Sequence, residues 1–109
     1  NKKKYEVFSE GKKVYIRLEN EMLIEGQFPD FEIQNVYEDK NYFIGCDFNN
    51  NSEDNEEEKY YIVVDKNKAI MKIYKEQNFK EIYKNIDNKK FINIYTFLKR
   101  KGTKFGRYR

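Results

Sequence analysis

This sequence predicts an α+β fold: an antiparallel sheet of five to seven short strands, arranged as hairpins, with two C-terminal helices packed on one face. Three observations carry that reading. Residues 4–74 are cut into short β-rich runs by turn residues, whereas from Asn78 onward apolar residues recur at helical spacing. A chain of 109 residues has room for one core, and with 39% hydrophobic residues it has the apolar surface to fill it, so a single domain spans 1–109.

The opening runs KYEVFS (4–9) and KVYIRL (13–18) flank Gly11, which makes them a β-hairpin. EMLIEGQF (21–28) reads as a third strand, and Pro29 after it disfavours a central place in a ladder. FEIQNVY (31–37) and NYFIGCDF (41–48) surround the turn Glu38, Asp39, Lys40; YYIVVD (60–65) and AIMKIY (69–74) surround Lys66, Asn67, Lys68. These are two further hairpins. YYIVV is apolar on both faces, as in a strand covered on each side, while KVYIRL alternates and can keep one face wet. Between the fourth and fifth hairpin strands, NNNSEDNEEE (49–58) is uniformly polar and predicts a mobile acidic loop.

Asn78 and Glu81 stand in a capping-box relation, and Phe79, Ile82, Tyr83 and Ile86 fall on one helical stripe, so a helix is expected over 79–86. Asp87 and Asn88 can end it and cap the next segment, where Phe91, Ile94, Tyr95 and Leu98 repeat the spacing. Lys99, Arg100 and Lys101 then suit a last turn before Gly102. A second helix is favoured there, with a strand as its rival, because FINIYTF is β-branched and aromatic. Residues 103–109 form a basic C-terminal tail expected to trail at the surface.

Composition excludes much chemistry. With no His, no Trp and one Cys, the chain lacks His-based acid–base catalysis, ordinary zinc ligation and an intrachain disulfide. Cys46 reads as a small side chain packed within its strand, since its neighbour Asp47 would oppose a thiolate. The five Gly, at 11, 26, 45, 102 and 106, make neither a phosphate loop nor a dinucleotide fingerprint, and the acidic stretch lacks calcium-loop spacing. No cofactor and no metal are expected. Without a run of 18 apolar residues or a signal-peptide pattern, the chain is expected to have no membrane partner and to be cytoplasmic.

Net charge is only +3, yet it sums three unlike segments. Residues 1–18 carry 6 basic and 2 acidic side chains, residues 19–58 carry 13 acidic against Lys40 alone, and residues 59–109 carry 15 basic against 4 acidic. Such asymmetry points to a charged partner; the plainer alternative is a fold that interleaves the segments and neutralises them. Asn, Lys, Ile, Tyr and Phe supply 61 of the 109 residues, as AT-rich coding does, so placement weighs more than number. On that basis Glu53, Asp54, Glu56, Glu57 and Glu58, with Glu38 and Asp39, are candidate partner-binding residues that steer a basic protein, and Tyr37 and Tyr42 are candidate anchors. Three of the four Arg lie at the other end, where Arg100, Lys104, Arg107, Tyr108 and Arg109 could grip phosphates while rings stack on bases. That end, LKRKGTKFGRYR, also resembles the basic, Tyr-bearing ends of small bacterial RNA endonucleases, which implies a His-free ribonuclease as an alternative activity.

The stretch KYYIVVDKNKAIMKIYKEQNFKEIYKNI (59–86) resembles the C-terminal part of many small bacterial immunity proteins of polymorphic-toxin and contact-dependent-inhibition systems. The resemblance covers about a quarter of the chain and implies a non-catalytic inhibitor that occludes a cognate toxin, most readily a basic nuclease. Because immunity proteins form several unrelated folds, it transfers no contact residue.

Overall fold

Residues 61–64 are all apolar, so their strand needs cover on both sides of its sheet. The computed structural model, which describes residues 5–10, 13–18, 23–25, 32–48, 59–100 and 107–108, provides that cover. Its strands are β1 (Tyr5–Glu10), β2 (Lys13–Leu18), β3 (Leu23–Glu25), β4 (Asn35–Glu38), β5 (Tyr42–Cys46), β6 (Tyr60–Asp65), β7 (Ile70–Lys75), β8 (Ile92–Asn93) and β9 (Arg107–Tyr108). Helix α1 (Glu76–Ile82) follows β7, and a 3-10 turn (Asn88–Lys90) precedes β8 and helix α2 (Ile94–Arg100). The fold class is α+β, as the sequence predicts.

Two sheets form. The larger runs β3-β7-β6-β5-β4-β8 and the smaller β2-β1-β9. The three expected hairpins, β1–β2, β4–β5 and β6–β7, are all present in antiparallel register. The larger sheet departs from purely antiparallel pairing at one edge, where β3 lies parallel to β7 with Leu23 opposite Ile70. The β6–β7 turn is closed by Asp65, whose Oδ1 accepts from the amides of Asn67 and Lys68 at 3.0 and 2.9 Å. Ala69 completes it at φ 56°, a left-handed conformation that strains any side chain with a Cβ.

Strand alternation distributes the core. Phe43, Ile62, Val64 and Met71 point to one side with Val36, where they meet Tyr5, Val7, Val14 and Ile16 of the small sheet and Ile94, Phe97 and Leu98 of α2. Ile44, Cys46, Tyr61 and Val63 point to the other, where Phe79 of α1 and Phe91 cover them. The two helices therefore lie on opposite faces and not on one. The reason is the double-sided apolar pattern of β5 and β6: each face needs its own lid. Val14 and Ile16 are buried while Lys13 and Arg17 are exposed, so β2 keeps the wet outer face its alternation predicts. Gly45 permits the close approach at the centre, since a Cβ there would stand 3.2 Å from Ile62 Cγ2 and 3.4 Å from Ile33 Cγ1.

The helices are shorter than their apolar periodicity suggests. α1 begins at Glu76 without a side-chain cap bond, because β7 runs directly into it and the Glu76 amide still donates to Lys59 O at 2.9 Å. The Asn78–Glu81 capping box is not used. Phe79 is the buried residue of α1, Ile82 is 58% exposed, and the chain leaves the helix at Tyr83. Over 89–101 both rival readings hold in part. Asp87 caps the 3-10 turn by accepting from the Lys89 amide, Ile92 and Asn93 pair with β4, and Asn93 Oδ1 then accepts from the Tyr95 amide as α2 starts. Phe91 goes to the α1 side of the sheet while Ile94 and Leu98 go to the other, which no single helix could do. The acidic stretch 49–58 lies outside the described residues. Of the expected trailing end 103–109 only 107–108 is described, and its backbone pairs with β1, Arg107 opposite Phe8 and Tyr108 opposite Val7.

Candidate interaction surfaces

The carboxylates flanking the β4–β5 turn have internal work. Glu38 Oε2 accepts from Lys66 Nζ at 2.9 Å and from the Tyr5 hydroxyl at 3.1 Å, with 12% of its side chain exposed. Asp39 Oδ1 accepts from the amides of Asn41 and Tyr42 at 2.7 and 2.8 Å, and Oδ2 accepts from the Tyr37 hydroxyl at 2.7 Å. Burial alone would raise the Asp39 carboxyl, but the Tyr37 hydroxyl, the two amides and the Lys66 ammonium together hold it below the usual carboxylate range. The same hydrogen bond, with burial, pushes the Tyr37 hydroxyl up. Lys66 Nζ also donates to Asp39 O at 2.7 Å, which clamps one hairpin turn onto the next. Sequence reasoning placed Glu38 and Asp39 on an open negative face; the structure gives them internal partners instead, because the adjacent β6–β7 turn delivers Lys66 to the same spot.

Tyr37 and Tyr42 are half-buried on the α1 side of the sheet. The Tyr37 ring lies 5.8 Å from Phe91, and Tyr42 meets Tyr83 edge-on at 5.4 Å. Each is first a packing residue.

Glu53, Asp54, Glu56, Glu57 and Glu58 lie outside the described residues, but both ends of the segment that carries them are described. The Gln34 side chain donates to Asp47 O at 3.2 Å and the Asn35 side chain to Phe48 O at 3.0 Å. Asp47 Oδ1 accepts from the Tyr60 amide at 3.2 Å, and Lys59 Nζ stands 5.3 Å over the Phe48 ring, itself edge-on to Tyr61. Residues 47–48 and 59–60, at the two ends of the acidic stretch, are thus fastened to the sheet.

Cys46 belongs to that fastening. Its thiol donates to Phe48 O at 3.2 Å, and burial pushes it up to about 12, far from a reactive thiolate. Burial likewise pushes up the hydroxyl of Tyr61, whose ring stacks on Phe79 at 3.8 Å.

Of the basic candidates, Lys104 and Arg109 lie outside the described residues, Arg107 and Tyr108 are placed by their backbone in β9, and Arg100 is exposed at the end of α2. Arg100 lines a cleft of about 490 Å³ with Val36, Tyr37, Glu38, Lys90, Ile92 and Phe97. Sequence reasoning missed Lys90 and Ile92: only the β4–β8 pairing, Val36 opposite Ile92, brings the 3-10 turn beside α2. Among the described residues no group of three or more His, Cys, Asp or Glu is placed to hold a metal ion, and no helix is long and apolar enough to cross a membrane. Comparison with known proteins gives no matching family model, no matching curated protein and no matching solved structure.

Proposed function

We propose that this chain is a non-catalytic inhibitor, an immunity protein that blocks a basic nuclease toxin with its acidic segment. The observation that carries the reading is the fastened base of residues 49–58: four hydrogen bonds and ring contacts hold residues 47–48 and 59–60 against the double-covered sheet. A sheet with a core on each side is a stiff platform, and the sequence between the two fastened ends holds Glu53, Asp54, Glu56, Glu57 and Glu58 with no cation. Such a segment raises encounter rates with a basic surface and fills a groove shaped for phosphates. Glu38 and Asp39 leave the contact set and become scaffold, and Tyr37 and Tyr42 stay as half-exposed anchors at the sheet end.

The rival reading, RNA or DNA binding or cleavage through the basic end, draws on the exposure of Arg100 and its place beside Lys90. Of its other candidates, Arg107 and Tyr108 lie in β9, whose backbone pairs with β1.

The inhibitor reading expects a neighbouring reading frame that encodes a secreted protein with a basic nuclease domain at its C-terminus. Purified together, the two should form a complex in which nuclease activity is lost; full activity of the nuclease at saturating inhibitor would refute the reading. Cleavage of total RNA by the chain alone would favour its rival.

A further inference from the structure

A second surface carries the opposite charge. The cleft between β4, the 3-10 turn and α2 encloses about 490 Å³, within the range of natural binding clefts. The partly exposed Ile92, backed by the buried Val36 and Phe97, gives it an apolar floor, and the side chains of Lys90 and Arg100 that also line it are exposed. Its one carboxylate, Glu38, is already neutralised by Lys66 at 2.9 Å. Among the described residues neither Lys90 nor Arg100 meets a carboxylate within ion-pair distance, and both side chains are exposed.

We infer that this cleft is a docking site for an acidic peptide segment of a partner protein, in which an apolar side chain packs on Ile92 and flanking carboxylates pair with Lys90 and Arg100. The proposal stands independently of the inhibitor reading. Charge complementarity selects an anionic occupant, and the floor selects among anions. A single strand of nucleic acid would need open ring faces for its bases. Here Phe97 is 5% exposed, while the Tyr37 ring packs against Phe91 and its hydroxyl is tied to Asp39. An aliphatic side chain needs only the apolar contact that the partly exposed Ile92 offers. The guanidinium of Arg100 can grip a carboxylate through two parallel bonds, and the flexible Lys90 stem adapts to a second.

The test uses the full chain and a fluorescein-labelled peptide of repeated Glu-Leu-Glu units, read by fluorescence polarisation. The Gln-Leu-Gln counterpart and labelled oligouridylate of similar length serve as alternative probes. Binding of the Glu peptide over its Gln counterpart supports the proposal. So does a loss of about threefold on Lys90→Gln or Arg100→Gln and at least about tenfold on the double reversal K90E/R100E. Lys75→Glu, exposed at the end of β7, which β6 and β5 separate from β4, should change affinity less than about twofold. Thermal midpoints confirm that each variant is folded. No binding of the Glu peptide overturns the proposal, as does an equal loss on Lys75→Glu, which would mean unspecific attraction. Oligouridylate binding in place of the peptide, lost in K90E/R100E, would overturn it in favour of nucleic acid.

Discussion

Removing the Phe79 ring should open the face of the large sheet that Phe79 and Phe91 cover together. Phe79 is 1% exposed, stacks on Tyr61 with ring centroids 3.8 Å apart and planes 7° apart, and lies 5.3 Å from Tyr83. α1 has seven residues, no side-chain cap bond and no other buried residue, so little else holds it to β6. A helix this short is unstable on its own and depends on packing. Phe79→Ala loses the transfer energy of the ring and leaves a cavity, about 3–5 kcal/mol, a large part of the 5–15 kcal/mol typical of a domain. At about 4–8 °C per kcal/mol for a domain near this size, the midpoint should fall by at least about 12 °C. Phe79→Leu keeps most of the volume and loses the stack, costing about 1–1.5 kcal/mol. Ile82→Ala, at 58% exposure, should stay within about 0.5 kcal/mol. Urea unfolding followed by far-ultraviolet and tyrosine circular dichroism suits a chain without Trp. A Phe79→Ala variant that loses less than about 1 kcal/mol, or no more than Ile82→Ala, would refute the assignment of α1 as the lid of that face.

Ala69→Gly relieves the left-handed strain at φ 56° and should leave stability unchanged or raise it by up to about 1 kcal/mol in the same urea assay; a clear loss would contradict the turn geometry. Cys46, pushed up to about 12 by burial, should resist Ellman's reagent at pH 8 in the native state and react fully in urea, whereas a fast native reaction would place it outside the core. Asp39 has its folded-state pKa lowered, so the stability it contributes is complete above the unfolded value of about 3.9 and is lost as pH falls through the folded one. Asp39→Asn should therefore be less stable at neutral pH and show a flatter decline in urea midpoint below about pH 4 than the wild type; parallel curves would contradict the stabilisation of the Asp39 carboxylate by Tyr37 and the two amides.

The parts of the fold legible in the sequence are those decided by neighbours along the chain. Turn residues at 38–40 and 66–68 mark two hairpins, and the unbroken apolar run of residues 61–64 announces a strand covered twice. What was not legible depends on partners far apart in sequence. Phe79, Ile82, Tyr83 and Ile86 make a convincing stripe, yet the continuing β6–β7 register starts the helix at Glu76 and turns Ile82 outward. Phe91 and Ile94 share a helical spacing but serve opposite faces, a choice made by the β4–β8 pairing. The candidate site shows the same division. A count of charges identified the acidic segment, but it could not reveal that Lys66 reaches Glu38 across 28 residues or that Lys90 and Arg100 share one cleft.

The most direct test of the inhibitor account is the association rate with the partner nuclease, measured by stopped flow over a range of salt for the wild type and for E56K/E57K/E58K. Steering by the acidic segment predicts that the triple reversal slows association about tenfold or more at low salt and flattens its dependence on ionic strength. Equal rates and equal salt slopes for the two proteins would contradict it.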